Sequence, residues 1–151
     1  MGRPARARGF TLLELLVVLV LAAAAYALVV RFSSGGVSGA QLKSAARAVA
    51  AGLRDARGAA IARQQSTALV LDLENRSMAV GESGRARELP RRLDLKLYTA
   101  QSEIVDEKRG AIRFYPDGSS TGGRVTLASG ERTLLVDVDW LTGRVRIKEG
   151  G

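Results

Sequence analysis

The sequence contains no cysteine and no histidine. A chain without cysteine forms no disulfide and has no thiol nucleophile, and a chain that lacks both residues has lost the commonest ligands of transition metals. The sequence also offers no nucleophile and base at a spacing that is typical of covalent catalysis. We therefore expect a protein that is not an enzyme, needs no cofactor and binds no small-molecule substrate.

The length and charge of the chain limit its organisation. Its 151 residues, of which 46% are hydrophobic, are enough for one membrane segment and one domain of about 120 residues. The formal charge of +8 includes three arginines in the first nine residues, and residues 31–151 carry +6. A modest positive excess is more typical of a soluble surface than of a nucleic-acid interface.

Charged and apolar residues are separated at the N-terminus. The first nine residues contain three arginines and no acid, and Phe10–Val30 has Glu14 as its only charge. As a helix these 21 residues extend about 31 Å, close to the hydrocarbon thickness of a bilayer. The positive-inside rule then leaves the N-terminus in the cytoplasm and residues 31–151 on the other side. A cleavable signal peptide ending near Ala22–Ala25 is the alternative, but a carboxylate inside its apolar segment argues against it.

Glu14 also belongs to two local patterns. Thr11-Leu12-Leu13-Glu14 matches the capping box of a helix N-terminus. The longer stretch Gly9-Phe10-Thr11-Leu12-Leu13-Glu14-Leu15-Leu16-Val17-Val18 resembles the processing motif of type IV pilins and type II secretion pseudopilins. The resemblance implies that a prepilin peptidase cuts after Gly9 and methylates the new amino terminus at Phe10. It also implies that Glu14 faces the amino group of a neighbouring subunit, which fits the cost of burying a carboxylate without a cation.

A second helix is expected after the membrane segment. Ser33-Ser34-Gly35-Gly36 interrupts the helical pattern, as a hinge or a frayed turn, and helical periodicity then runs from about Ser38 to Arg63. We interpret its apolar stripe as the face that packs on the core. The stripe consists of Leu42, Ala46, Val49, Leu53, Ala56 and Ala60.

From Gln65 onward the hydrophobic period is two, which predicts strands. Residues 101–110 are polar and predict a surface loop. One long N-terminal helix followed by antiparallel strands gives an α+β class. The predicted strands are Ala68–Leu73, Ser77–Val80, Leu93–Leu97, Ala111–Tyr115, Arg124–Leu127, Thr133–Val138 and Arg144–Lys148. The predicted parts are a cleaved leader (1–9), a transmembrane helix (10–30), an amphipathic periplasmic helix (31–66) and a periplasmic β domain (67–151).

The stretch Phe114-Tyr115-Pro116-Asp117-Gly118-Ser119-Ser120-Thr121-Gly122-Gly123 predicts a tight turn, because proline fixes φ and glycine permits positive φ. No Lys-Ser/Thr pair follows its glycines, so it lacks a feature of phosphate-binding loops. A metal site at Asp117, Asp137 and Asp139 is likewise not indicated, because the spacing of these residues matches no known metal-binding loop. We interpret Trp140 as a core or hairpin-anchoring aromatic, in preference to the alternative that it is the centre of a partner interface.

Two stretches resemble the C-terminal half of the H-type minor pseudopilins of type II secretion: residues 114–123 and Val138-Asp139-Trp140-Leu141-Thr142-Gly143-Arg144-Val145. The resemblance implies two small antiparallel sheets packed on the helix, in a pilin-like fold. It also implies a place in the filament-tip complex, with the other minor pseudopilins and the major pseudopilin as partners and the bacterial inner membrane as anchor. The implied function is to promote the export of folded proteins across the outer membrane.

An alternative function rests on the C-terminal basic residues. Arg144, Arg146 and Lys148 occupy alternating positions of the last predicted strand, hence one face, and a row of cations can bind phosphates. Minor pilins of DNA uptake belong to the same broad family, so a type IV minor pilin that binds DNA for natural transformation remains open. Asp137, Asp139 and the lack of aromatic residues in the tail argue against it.

Overall fold

The computed structural model describes residues 11–33, 37–81, 84–106 and 108–150. The chain divides into two compact units, Met1–Gly35 and Gly36–Gly151. Within the described residues, the first unit contains one helix, and the second contains one helix and two antiparallel sheets.

Helix α1 of the first unit spans Leu12–Ser33. Every side chain described in it, over residues 12–27, is exposed, including an unbroken apolar run from Leu15 to Leu21. Counted over the described residues, no helix is both long enough and apolar enough to cross a membrane. The predicted span Phe10–Val30 begins on a residue outside the described ones, and its side chains at 28–30 are not described either.

Helix α2 of the second unit spans Gly39–Arg63 and confirms the predicted amphipathic helix. Its start is fixed by a capping box, in which Ser38 Oγ accepts from the Gln41 backbone N–H and Gln41 Oε1 accepts from the Ser38 N–H, both at 3.2 Å. It ends at Arg63 and is followed by the C-cap residue Gln64, whose φ of 53° is left-handed. All six residues of the predicted apolar stripe are buried.

Eight strands follow α2 and form two four-stranded antiparallel sheets, so the predicted α+β class is confirmed. The first sheet has the order β3-β2-β1-β5 and the second has the order β4-β6-β7-β8. The strands are β1 (Thr67–Asp72), β2 (Ser77–Val80), β3 (Arg87–Glu88), β4 (Asp94–Thr99), β5 (Arg109–Phe114), β6 (Gly123–Ser129), β7 (Arg132–Val138) and β8 (Val145–Gly150).

One hydrophobic core joins α2 to the inner faces of both sheets. Leu53 of the helix shares this core with Leu69 and Phe114 of the first sheet and Leu127 and Val136 of the second, all fully buried. The alanine-rich stripe of α2 presents small side chains, which lets the helix lie close to both sheets. The outer faces of the sheets are left to carry the polar residues.

The predicted surface loop at 101–110 is partly wrong. It contains a short 3₁₀ helix, Gln101–Glu103, and its last two residues belong to β5. Glu103 is only 7% exposed, because Arg113 Nε donates to its carboxylate at 2.9 Å. The ion pair with Arg113 of β5 therefore holds Glu103, which was expected in solvent, against the domain.

Candidate functional site

The predicted processing residues Gly9 and Phe10 lie outside the described residues. Glu14 lies in the first turn of α1, where its backbone N–H donates to the Thr11 hydroxyl at 3.2 Å. This bond is the threonine half of the predicted capping box. The Glu14 side chain is exposed, and a helix N-terminus favours a carboxylate. Its role in assembly stays a prediction.

A row of four residues crosses the outer face of the second sheet, with one residue from each strand. Tyr98 of β4 pairs with Arg124 of β6, Arg124 pairs with Asp137 of β7, and Asp137 pairs with Arg146 of β8. The next row pairs Val125 with Val136, which are buried. Because side chains alternate between the two faces of a strand, the four-residue row faces away from the core.

Asp137 organises the charge on this face. Arg124 Nε donates to Asp137 Oδ1 at 2.5 Å, and Lys148 Nζ donates to Asp137 Oδ2 at 3.0 Å. The bond from Arg124 is the largest cause of the lowered pKa of Asp137, with a further contribution from Lys148 that partial burial opposes. The carboxylate therefore remains ionised well below neutral pH and holds both cations in place.

The structure brings the predicted C-terminal cations together, with one correction. Arg146 and Lys148 lie on one face of β8, but Arg144 precedes this strand, which begins at Val145. The turn before β8 includes Arg144, because the Arg144 carbonyl accepts from the Asp139 backbone N–H at 3.0 Å. Lys148 is paired with Asp137, whereas neither Arg144 nor Arg146 makes an ion pair with a described residue.

Trp140 is 66% exposed, so its prediction as a core aromatic is wrong. β7 ends at Val138, and the turn that follows carries the indole beyond the sheet. The backbone of this residue is nevertheless held, because the Ser120 N–H donates to the Trp140 carbonyl at 2.8 Å. The turn is closed by Asp139, which accepts from the Thr142 backbone N–H at 2.8 Å, and this bond lowers the pKa of Asp139. Trp140 therefore anchors the turn by its backbone, not by its ring.

Tyr98 is a residue of this surface that the sequence pattern did not single out, and Trp140 was expected elsewhere. Tyr98, Trp140 and the neighbouring cations line a shallow depression of about 650 Å³, although Tyr98 is distant from the basic tail in the sequence. Only the pairing of β4, β6, β7 and β8 brings them together. The sequence does contain a signal that Tyr98 is exposed, because Tyr98 shares a face of β4 with Asp94 and Lys96, the polar side of that strand.

The acidic side chains near this surface are its possible metal ligands. Among residues 11–33, 37–81, 84–106 and 108–150, no group of three or more histidine, cysteine or acidic side chains is placed to hold a metal ion. Each of the aspartates at 117, 137 and 139 already accepts hydrogen bonds from its own turn or from neighbouring cations. The arrangement is suited to recognising a charged surface.

Comparisons with known proteins identify the family of the chain. A family model described as type II transport protein GspH matches residues 45–142, and the prokaryotic N-terminal methylation motif matches residues 4–26. The chain is 38% identical over 139 residues to the type II secretion system protein H of Xanthomonas campestris pv. campestris. This match covers 92% of the chain and 82% of that protein.

Two kinds of solved structure share the pilin-like fold. The minor pseudopilin EpsH of the type 2 secretion system of Vibrio cholerae has a TM-score of 0.58 and 14% identity, covering 74% of this chain and 98% of that one. The type IV minor pilin FimU of Pseudomonas aeruginosa has a TM-score of 0.53 and 16% identity, covering 70% of this chain and 91% of that one. Together with the family match over residues 45–142 and the 38% identical relative, these findings show that the chain belongs to the GspH family of type II secretion pseudopilins.

Proposed function

We propose that this chain is a minor pseudopilin in the tip complex of a periplasmic pseudopilus, where it promotes the export of folded proteins across the outer membrane. The observation that carries the proposal is the GspH family match over residues 45–142. The methylation motif at residues 4–26 and the relative named type II secretion system protein H both favour it. The role is structural, because the family is one of filament subunits and not of enzymes.

The proposed precursor is inserted into the inner membrane, cut by a prepilin peptidase after Gly9 and methylated on Phe10. The apolar helix from residue 10 to residue 30 then anchors the chain, and the domain with the two sheets lies in the periplasm. The exposed apolar side chains of α1 favour an environment of lipid or of other helices.

Glu14 is proposed to set the register of this subunit against its neighbours, the major pseudopilin and the other minor pseudopilins. Its carboxylate stands exposed on an otherwise apolar helix surface, four residues after the proposed new amino terminus. A carboxylate in an apolar bundle is costly unless a cation faces it, and the amino group of an adjacent processed chain supplies that cation.

The proposal is tested in a strain that lacks this chain, complemented with the wild-type chain or with Glu14→Ala. The intact mass of the extracted wild-type protein should show loss of residues 1–9 and gain of one methyl group. Glu14→Ala should be processed and inserted normally. Its co-isolation with a tagged major pseudopilin should fall at least about tenfold, because one partner of a buried ion pair has been removed. Secretion of a type II substrate should fall with it.

Glu131→Ala is the matched control, because it removes an exposed carboxylate from the turn between β6 and β7, in the other unit of the chain. This variant should co-isolate and secrete like the wild type. Cleavage near Ala24 would instead identify a signal peptide, and normal incorporation of Glu14→Ala would remove the assembly role of Glu14.

A second candidate function, DNA binding by a type IV minor pilin, is favoured by one observation. Arg144 and Arg146 stand beside the exposed rings of Tyr98 and Trp140, the combination that nucleic-acid surfaces use. Fluorescence anisotropy of the full chain with duplex DNA should then show, at about 150 mM salt, affinity tighter than the ~10⁻⁴ to 10⁻⁶ M of non-specific binding. That affinity should be lost in the Arg144→Ala/Arg146→Ala variant and kept in Arg54→Ala. Binding that disappears at this salt concentration eliminates the candidate.

A further inference from the structure

The outer face of the second sheet and the turn between β7 and β8 together carry a group of eight charged or aromatic residues, which we call the basic–aromatic face. Two of its members are large and strongly exposed: Tyr98 at 79% and Trp140 at 66%. Such side chains are usual in the centres of protein interfaces and costly to leave in water. The face consists of Tyr98, Arg124, Asp137, Asp139, Trp140, Arg144, Arg146 and Lys148.

The basic–aromatic face contains two kinds of cation: those that are paired with a carboxylate and those that make no ion pair with a described residue. Asp137 neutralises part of the positive charge by accepting from Arg124 and Lys148. Arg144 and Arg146, by contrast, make no ion pair among the described residues, and Arg146 is the smallest cause of the lowered pKa of Asp139. Both guanidinium groups therefore remain exposed at the depression that Tyr98 and Trp140 also line. Guanidinium groups bind carboxylates in a fixed, two-pronged geometry.

The exposed indole is attached to a rigid support. The backbone of Trp140 accepts from Ser120 and packs against Gly122, where an added Cβ would lie 3.0 Å from the Trp140 Cβ. Gly122 has a φ of +71°, which favours glycine there. Because the backbone beneath the indole is already held, binding needs to fix only the side-chain torsions of Trp140, and this lowers the entropic cost of docking a partner.

We propose that the basic–aromatic face docks a second pseudopilin subunit through a surface that presents carboxylates beside an apolar side chain. The inference rests on the proposed function, which supplies the class of partner. Charge complementarity favours this occupant: Arg144 and Arg146 would pair with the carboxylates, and Tyr98 and Trp140 would cover the apolar side chain. A protein surface can also place a cation or a hydrogen-bond donor opposite Asp137, whereas a phosphate backbone presents only negative charge to it.

The test uses the full chain in membranes that contain the pseudopilins encoded with it, each carrying a different tag. A photo-crosslinking phenylalanine analogue replaces Tyr98 or Trp140 in separate variants. Asn75, exposed in the turn between β1 and β2, is the control position. Val17 of α1 is the position that reports assembly through the helix. We expect crosslinks to one tagged pseudopilin from positions 98 and 140 and from position 17, but not from position 75.

Charge reversal tests whether the arginines hold the partner. Arg146→Glu should lower the crosslink from position 140 at least about fivefold, and Arg146→Gln should lower it less. Arg54→Glu, an equal change at an exposed position of α2, should leave it unchanged. Resistance of each variant to proteolysis establishes that the domain is folded.

Three results would overturn the inference, and they differ in what they say about the proposed function. Crosslinks from position 17 without crosslinks from 98 and 140 mean that the chain assembles and that this face does not dock a subunit. Nuclease-sensitive adducts at 98 and 140 assign the face to nucleic acid. The absence of pseudopilin crosslinks from every position, including 17, removes the proposed function as well.

Discussion

Gly143 lies directly against the backbone carbonyl of Gly118, so that two turns distant in the sequence share one contact. An added Cβ on Gly143 would stand less than 3.0 Å from the Gly118 oxygen, a separation that real Cβ atoms do not adopt. Arg57 of α2 donates from Nε to the same oxygen at 3.1 Å. The contact therefore ties the turn after β5 and the turn after β7 to the helix. It explains why both turns, which the sequence marks by glycine, lie at one end of the domain.

Gly143→Ala should therefore be strongly destabilising. Gly143 has a φ of +60°, and a left-handed conformation costs an alanine about 1–2 kcal/mol. The clash with a backbone oxygen adds to this, so we expect a loss of at least about 3 kcal/mol in the free energy of unfolding. Urea unfolding of the chain, followed by circular dichroism, measures it.

Gly130→Ala is the matched control for that variant. Gly130 has nearly the same φ, +59°, but no atom lies within 4 Å of its added Cβ. Gly130→Ala should lower the free energy of unfolding only by the backbone cost of about 1–2 kcal/mol. Equal losses at the two positions would show that the contact with Gly118 contributes nothing.

Gly58→Ala should stabilise α2. Gly58 is exposed in the helix interior, and an added Cβ would meet nothing within 4 Å. Alanine restricts the unfolded chain more than glycine does, which should raise the free energy of unfolding by about 0.5–1 kcal/mol. Gly52→Ala is the contrast, because its Cβ would lie 3.1 Å from Leu69 Cδ1 in the core. A gain at position 52 as large as at position 58 would show that Gly52 is not needed for close packing of α2 on β1.

Local patterns in the sequence were sufficient to predict α2. The spacing of Leu42, Val49 and Leu53 identifies one helix face, and that face is buried because a helix has only one way to present such a stripe. Ser38 and Arg63 were close to the true ends, since the capping box and the change to a period of two are both local signals. The strands of the hairpin β1–β2 were predicted for the same reason.

The surface beside Trp140 could not be predicted from local sequence patterns, because it depends on the order of the strands in the second sheet. Tyr98 and Arg146 meet on one face only because β4 and β8 are joined through β6 and β7, an order that alternation of hydrophobic residues does not specify. The exposure of Trp140 depends on where β7 ends relative to Gly122. Hydrophobicity alone favours a buried tryptophan, and the backbone contacts of the turn override it.

Glu103 and Arg113 form the most buried ion pair of the described residues, at 2.9 Å with the carboxylate 7% exposed. Glu103→Ala should lower the free energy of unfolding by about 1–3 kcal/mol, because the arginine loses a charged partner in a partly buried place. Glu74→Ala breaks an ion pair to Lys108 in which both side chains are more than half exposed. Its effect should be within the error of the measurement. Urea unfolding distinguishes the two, and equal effects would mean that burial does not strengthen the first pair.

Asp137 should contribute to stability in a way that depends on pH. The hydrogen bond from Arg124 holds the pKa of Asp137 below its ordinary value of 3.8 in the folded chain. The folded state then binds this proton less readily than the unfolded state, so the contribution is complete above pH 3.8 and is lost as the pH falls through the lowered pKa. Asp137→Asn should be less stable than the wild type at pH 7, by about 1 kcal/mol, and the difference should vanish in strong acid.

The control is Asp94→Asn, on the same face, where Asp94 makes no ion pair with a described residue. Unfolding by urea between pH 7 and pH 2 gives both curves. A difference between wild type and Asp137→Asn that stays constant across this range would show that the carboxylate acts through shape alone, and that its pairing with Arg124 and Lys148 does not stabilise the sheet.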